Sequence, residues 1–149
     1  MRFVNTPIRR LGGISYWVIE DADAIHDFIN TEIRKEWAED AKSEHRDPED
    51  DQWLKTLLKR KWSLAIIELE RIKLNTEIMN YADRKQGYVF QESLAQRQHE
   101  LQEVIQSFGV VIWPLVIRGE GMQLVDGYCR YATLKAMGVS RVYVYVGVL

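Results

Sequence analysis

The sequence of 149 residues contains a single cysteine, Cys129. One cysteine excludes an intrachain disulfide and any cysteine-rich zinc site, and we expect a reducing, cytoplasmic setting. No uncharged apolar run approaches the ~20 residues that a membrane span needs. The early arginines of the N-terminal segment MRFVNTPIRR are followed by no apolar core, so we expect neither a secretory signal nor a membrane anchor.

Neither sign of charge dominates, because 20 basic residues stand against 22 acidic ones and the net charge is −2. Sequence-independent nucleic-acid binding depends on clustered lysine and arginine, so we expect no nucleic-acid partner. One local basic group is interpreted as the solvated end of a helix, with a phosphate-contacting patch as the alternative. It consists of Lys55, Lys59, Arg60 and Lys61.

Several familiar site patterns are also missing. The sequence has no Walker loop and no Gly-x-Gly-x-x-Gly run. Its three histidines, His26, His45 and His99, are isolated from one another and lack the spacing of metal ligands. Histidine spacing therefore does not show whether the protein binds a metal ion.

What is present predicts an α+β protein: a small mixed sheet with flanking helices, preceded by an N-terminal helical extension. The extension, residues 1–61, contains a short strand near Ile14–Ile19, a helix from about Asp23 to Lys42, and a second helix that begins at Pro48 and carries Trp62 on its apolar stripe. We expect these helices to pack on the second part of the chain, residues 62–149.

Residues 62–149 show the order strand, helix, strand, turn, strand, helix, strand. The predicted elements are a strand from Leu64 to about Lys73, a helix Gln91–Phe108 closed by Gly109, strands at Val110–Ile117 and Met122–Val125, a helix from Tyr128 to about Met137, and a strand Val142–Val146. Pro114 marks an edge, a bulge or the start of its strand, since proline cannot donate to a ladder.

The most informative feature is the junction between a strand that ends at Asp126 and a helix that begins directly after Gly127. The first amides of a helix have no partner within it, and together with the helix dipole they form an anion site. Arg130 in the first turn can add a bidentate contact to phosphate. Arg118 ends the preceding strand, and a hairpin would bring it near the same edge. Asp126 could orient an arginine, hold a metal ion or accept a hydroxyl proton.

The order and spacing of these motifs resemble those of the ParB N-terminal domain and sulfiredoxin superfamily. The resemblance rests on Pro-Leu-Val-Ile-Arg, a glycine-containing turn, Leu-Val-Asp-Gly-x-x-Arg-Tyr-x-x-Leu-x-x-x-Gly, and a final Val-x-Val-x-Val. It covers about Trp62 to Val148, and it implies a ParB/sulfiredoxin-like fold with a nucleotide at the start of the helix.

The resemblance implies different chemistry in different branches of the superfamily. The partition branch binds CTP and has Gly-Glu-Arg-Arg, of which only Gly127 and Arg130 are present here. Sulfiredoxin has Gly-Cys-His-Arg, and here Tyr128 takes the cysteine position while Cys129 takes the histidine position. Free-serine kinases have Asp-Gly-His-His-Arg-Tyr, which Asp126, Gly127, Arg130 and Tyr131 match. That branch also carries a glutamate after the first strand, for which Glu77 is the candidate and Glu70 the rival.

The leading hypothesis is a nucleotide-binding protein. One form of this hypothesis is a phosphotransferase that acts on a small acceptor, and another is an NTPase. Phosphates of ATP, ADP or CTP would contact Gly127, Tyr128, Cys129, Arg130 and Tyr131, with Arg118 closing the site. Mg²⁺ would bridge the phosphates, and Asp126 or Glu77 would accept a proton. The alternative is a regulatory module that senses a nucleotide without turning it over and binds a protein partner or a second copy through its N-terminal helices. A DNA-associated ParB-like factor is the third hypothesis, which the acidic balance of the chain disfavours. It would use Lys55, Lys59, Arg60 and Lys61 with Arg9 and Arg10.

Overall fold

The structure, a computed structural model, describes residues 6–35, 56–79, 82–83 and 88–149, with backbone alone at 77–78, 82–83 and 88–92. The elements in chain order are strands β1 (Ile8–Leu11) and β2 (Ile14–Trp17), helix α1 (Ala22–Phe28) continued by a π-helical stretch (Ile29–Arg34), β3 (Lys61–Glu68), a 3₁₀ turn (Leu69–Arg71), the helical turn α2 (Thr76–Met79), β4 (Ala82–Asp83), β5 (Tyr88–Val89), α3 (Phe90–Phe108), β6 (Leu115–Arg118), a 3₁₀ turn (Glu120–Met122), β7 (Gln123–Asp126), α4 (Tyr128–Ala136) and β8 (Arg141–Val148).

The main sheet has four strands in the order β3-β8-β6-β7. β3 and β8 are antiparallel, β6 and β8 are parallel, and β6 and β7 form an antiparallel hairpin. β8 is an interior strand, and its residues 142–145 are all buried, which explains its continuous apolar sequence. Pro114 immediately precedes β6, so of the three predicted positions for this proline the strand start is the observed one.

Helices α3 and α4 and the β1–β2 hairpin enclose the first apolar core. This core includes Tyr16, Leu115, Ile117, Leu134 and Val144, each 0% exposed. α3 ends as predicted, because Gly109 has a φ of 63° and its N–H donates to the Ile105 carbonyl at 2.9 Å.

The N-terminal extension builds a second core on the sheet. Asp21 caps α1 by accepting a hydrogen bond from the Ala24 N–H at 2.9 Å. The buried side of α1 and its π-helical continuation then packs on the sheet residues Trp62, Val116, Val125 and Tyr145. The expectation that the N-terminal segment packs on the sheet is confirmed for the described residues.

Several predicted features differ from the structure. The strand predicted at Val110–Ile117 is observed at Leu115–Arg118, because among the described residues the segment before Pro114 does not pair with the main sheet, and Ile112 bridges instead to Tyr16 of β2. The first-half strand begins at Lys61 and ends at Glu68, where a 3₁₀ turn replaces the predicted extension to Lys73. Trp62 lies on this strand rather than on a helix, because its indole packs over the backbone of Gly147 on β8. β1 was not predicted at all. The helix predicted up to Lys42 is described only to residue 35, and the start of the second helix lies outside the described residues.

The basic cluster of the sequence is also revised, because Arg60 is 6% exposed rather than solvated. Its Nη1 donates to both carboxylate oxygens of Glu120 at 2.8 Å and to the Gly147 carbonyl at 3.1 Å. Lys59 and Lys61 on either side of it are exposed. In the described part of the chain, no helix has the length and hydropathy to cross a membrane.

Candidate functional site

The junction between β7 and α4 has the predicted form. Gly127 is the N-cap of α4 with a φ of 103°, and the helix begins without a side-chain cap. The first backbone bond of the helix runs from the Tyr131 N–H to the Gly127 carbonyl at 2.8 Å. The amide groups at 128–130 therefore precede the regular ladder and lie at the positive end of the helix dipole.

Arg130 folds back over this helix start. Its Nη2 donates to Oδ2 of Asp126 at 3.0 Å, and each of the two side chains is 22% exposed. A Cβ atom at Gly127 would lie 2.7 Å from Nη2 of Arg130 and 2.8 Å from Cδ2 of Leu115. The guanidinium therefore occupies the space that any larger residue at 127 would need.

The donors of Arg130 are only partly used. Among the described residues, its Nε is buried and has no hydrogen-bond partner, whereas Nη2 donates to the carboxylate of Asp126. A cationic group with remaining donors, placed at the positive end of a helix and still reachable by solvent, favours an anion as the additional partner.

Tyr128 serves the fold rather than facing solvent. It is 8% exposed, its hydroxyl accepts from the Asn75 N–H at 3.2 Å, and it donates to the Leu124 carbonyl at 3.2 Å. Burial raises the pKa of this phenol, so it stays neutral. Cys129 and Tyr131 are half-buried against the same core. The hydroxyl of Tyr128 is therefore used within the fold, and a contact between residue 128 and phosphate stays a prediction.

The contact between Asn75 and Tyr128 brings a second segment to the helix start. Lys73 runs along β7, since its N–H donates to the Met122 carbonyl and its carbonyl accepts from the Leu124 N–H. The helical turn α2 follows directly, and Glu77 is its second residue. The structure thus brings the Glu77 segment close to the start of α4.

Glu70, the rival for the glutamate role, lies elsewhere. The Leu69 N–H donates to the Ser140 carbonyl at 2.8 Å, which places the 3₁₀ turn of Glu70 beyond the C-terminal end of α4. Nine residues of helix span ~13 Å. Glu70 instead lines an open cleft of about 600 Å³, together with Tyr131, Lys135 and Arg141.

Arg118 lies at the turn end of the β6–β7 hairpin, where it pairs with Gln123, whereas Asp126 pairs with Val116 at the other end. The charge of Arg118 contributes to lowering the pKa of Glu120, although the hydrogen bond from Arg60 is the larger cause. The hairpin therefore separates Arg118 from Asp126 along the strand direction, and a phosphate contact from Arg118 stays a prediction.

The extension also reaches the neighbourhood of Arg130. The hydroxyl of Tyr145 accepts from the Ile19 N–H at 3.1 Å. Burial raises the pKa of Tyr145 to about 12, and the charge of Arg130 acts in the opposite direction. Tyr145, a residue of the second core, is thus within electrostatic range of Arg130. Sequence reasoning missed the contact between Ile19 and Tyr145, because its partners are 126 positions apart and share no local signal.

Metal binding by protein side chains alone has no basis in the part of the chain that the structure describes. No three histidine, cysteine, aspartate or glutamate side chains there form a group that could hold an ion. A Mg²⁺ ion would need phosphate oxygens for most of its ligands, as is usual for this cation at nucleotide sites.

No protein-family model matches the chain, and no curated protein matches it. Two solved structures of a pNOB8-like ParB N-domain match it with 16% and 15% identity over 60% of this chain, with TM-scores of 0.43 and 0.42. A mutant free serine kinase in complex with AMP matches with 24% identity over 56% of this chain and a TM-score of 0.38. This chain covers about 30% of the length of these proteins. They are of the ParB and free-serine-kinase types that the sequence resembles, and the predicted α+β class is confirmed by the structure.

Proposed function

We propose that this protein binds a nucleoside di- or triphosphate at the start of α4. The observation that carries the proposal is the uncapped helix start, with the Arg130 guanidinium held over Gly127 by Asp126. Phosphate oxygens would accept bonds from the amides of Gly127, Tyr128 and Cys129 and from Arg130. Mg²⁺ would bridge the phosphates and supply the charge neutralisation that such sites need.

The ion pair with Asp126 prepares Arg130 for this role. A partly buried arginine without a counter-ion is costly, so Asp126 stabilises the guanidinium in place before the anion arrives. The planar fork of arginine then presents two donors to one phosphate group. A lysine at this position would keep the charge and lose the fork.

Phosphoryl transfer to a small acceptor is the enzymatic form of this proposal. A hydroxyl acceptor needs a group that takes its proton, and Asp126 and Glu77 are the candidates. Asp126 is already engaged with Arg130. Glu77 is carried by the turn that Tyr128 holds beside the helix start. NTP hydrolysis would use the same groups with water as the acceptor.

Nucleotide sensing without turnover is the second candidate, and one observation favours it. In the resembling families, reactive side chains occupy positions 128 and 129, whereas here Tyr128 is used in the core and Cys129 is half-buried. Measurement of product separates the two candidates: binding with no ADP, phosphate or phosphorylated acceptor supports a sensor.

The test is a thermal-shift titration with ATP, ADP, CTP and GTP in the presence of Mg²⁺. A ligand that binds only the folded chain stabilises it by about 2.7 kcal/mol at a hundredfold excess over its Kd. We expect a shift with at least one nucleotide, its loss in Arg130→Ala, and its weakening in Arg130→Lys. Arg97→Ala is the matched control, because Arg97 is an exposed arginine on α3. An equal shift in Arg130→Ala and in the control would overturn the site.

A further inference from the structure

The two edges of the main sheet are built differently. β7, at one edge, is four residues long, and its pairing with β6 shifts register between Val116 and Ile117. Lys73 also covers it, with hydrogen bonds of 2.9 and 2.8 Å to Met122 and Leu124. Short length, irregular pairing and a covering segment are the usual ways in which proteins prevent an edge strand from pairing with another chain.

β3, at the opposite edge, shows none of these protections among the residues that the structure describes. It is eight residues long and pairs with β8 in one unbroken register. It contains no proline, and the residues from Trp62 to Ile67 carry no charge. Within the described residues, the backbone hydrogen bonds of β3 go to β8 alone. Ile66 is 40% exposed, which is unusual for isoleucine in a strand with a covered face.

The charges at the ends of β3 are self-complementary. Lys59 and Lys61 stand at its beginning, Glu68 and Glu70 at its end, and all four are exposed. An antiparallel copy of the same strand would place the basic end of each copy beside the acidic end of the other. A parallel copy would place like charges together, which is unfavourable across strands.

We propose that β3 pairs antiparallel with β3 of a second copy of this chain, which joins two four-stranded sheets into one of eight strands. Two-fold symmetry makes such an interface self-matching. It also requires a residue near the middle of the strand, Leu64 or Ala65, to face its own copy. The exposed Ile66 side chains would then be covered at the interface. This surface is distinct from the start of α4, so the inference is independent of nucleotide binding.

The first test is sedimentation equilibrium of the full chain over a range of concentrations. We expect a reversible monomer–dimer equilibrium, and a dissociation constant at least about tenfold higher in Ile66→Lys, because an inserted charge blocks edge pairing. Ile8→Lys is the matched control, since Ile8 is a 51% exposed isoleucine on β1. Circular dichroism confirms that each variant is folded.

A charge exchange gives the second test, and it does not depend on tolerance of a lysine at 66. Lys61→Glu alone and Glu68→Lys alone each place like charges at both ends of the paired strands, and each should weaken the dimer measurably. The double variant Lys61→Glu/Glu68→Lys should restore it. A monomer at every concentration would overturn the proposal, because β3 would then be satisfied without a second copy. The proposal would also be overturned if the dissociation constant of the dimer changed neither in Ile66→Lys nor in the charge variants, because the interface would then lie elsewhere.

Discussion

Gly127 is the residue on which the geometry of the candidate site depends most directly. Its φ of 103° lies in the left-handed region, which side chains rarely adopt. Its missing Cβ also leaves room for the guanidinium of Arg130 and for the buried methyl of Leu115. The same glycine therefore sets the helix start and admits the arginine that would bind an anion.

Gly127→Ala should lower the free energy of unfolding by about 2–4 kcal/mol, from backbone strain together with a core clash. Gly138→Ala is the matched control, because Gly138 also has a positive φ, 73°, but a Cβ there meets nothing within 4 Å. Urea unfolding of both variants measures how much stability is lost through the contact of the new methyl group at 127 with Arg130 and Leu115. Equal losses in the two would show that Arg130 and Leu115 move aside freely.

The free energy of unfolding should depend on pH through Glu120. The hydrogen bond from Arg60 lowers the pKa of this carboxyl below its ordinary value. A lowered folded pKa stabilises the protein above the unfolded pKa, about 4.3 for glutamate, and that stabilisation is lost as pH falls through the folded pKa. Because Glu120 is half-exposed, its contribution at pH 7 should be about 0.5–1 kcal/mol.

The measurement compares urea unfolding of the unmodified chain and of Glu120→Gln at pH 7 and at pH 3. The difference between the two should be present at pH 7 and should shrink at pH 3, which lies below the ordinary pKa of glutamate, because the stabilisation is lost as pH falls through the lowered folded pKa. A difference that does not change with pH would mean that the two proteins differ by packing rather than by the charge of Glu120.

At the scale of elements, the sequence was informative where the determining residues are close together in the chain. α3, α4 and the Gly127 junction were predicted within a few residues, since caps, apolar stripes and turn glycines are local signals. The start of β3 was wrong because Trp62 continues a helical stripe in the sequence. Its environment is set by Gly147 on β8, which no local pattern shows.

The same division applies to the candidate site. Asp126, Gly127 and Arg130 lie within one turn of each other and were predicted together. The position of Arg118 depends on the register shift in the β6–β7 hairpin, and the burial of Arg60 depends on Glu120, 60 positions away. Sequence alone carries no signal for these, because each requires the assembled sheet.

Tyr128 connects three elements through one hydroxyl, namely β7, α4 and the segment that leads to α2. Tyr128→Phe should lower the free energy of unfolding by about 1–2 kcal/mol, because the Asn75 N–H loses its partner. Nucleotide affinity should change less than in Arg130→Ala, since only the amide of residue 128 would contact phosphate. Both are measured on the same variant, by urea unfolding and by nucleotide titration.

Tyr131→Phe is the control for this variant, because Tyr131 is half-buried against the same core but takes no part in the Asn75 contact. A loss of affinity in Tyr128→Phe as large as in Arg130→Ala would give the Tyr128 hydroxyl, or the segment that it holds, a direct part in binding. Such a result would favour Glu77 as a residue that contacts the ligand.

At the scale of the whole molecule, the question is whether residues 62–149 are a domain that folds without the N-terminal extension. The structure shows that the extension packs on one face of the sheet, over Trp62, Val116, Val125 and Tyr145. Phe28 packs on Trp113 and Tyr145, with ring centroids 4.5 and 5.7 Å apart. The buried side chains that α1 and its π-helical continuation contribute are Ile25, Phe28, Ile29 and Ile33, each at most 5% exposed.

Burial of these four side chains is worth about 6–12 kcal/mol as an upper estimate. A protein of this size has about 5–15 kcal/mol of net stability. Removal of residues 1–35 should therefore leave a chain without cooperative unfolding, even though the whole of the candidate nucleotide site remains in it. Near-ultraviolet circular dichroism and urea unfolding measure this directly.

Ile29→Ala in the full chain is the graded comparison, with an expected cost of about 2–5 kcal/mol, because Ile29 is 0% exposed. If the shortened chain unfolds cooperatively with an unchanged midpoint, the boundary near residue 62 marks an independent domain, and the extension is an accessory to it. If it does not, the extension is part of the core that positions Arg130.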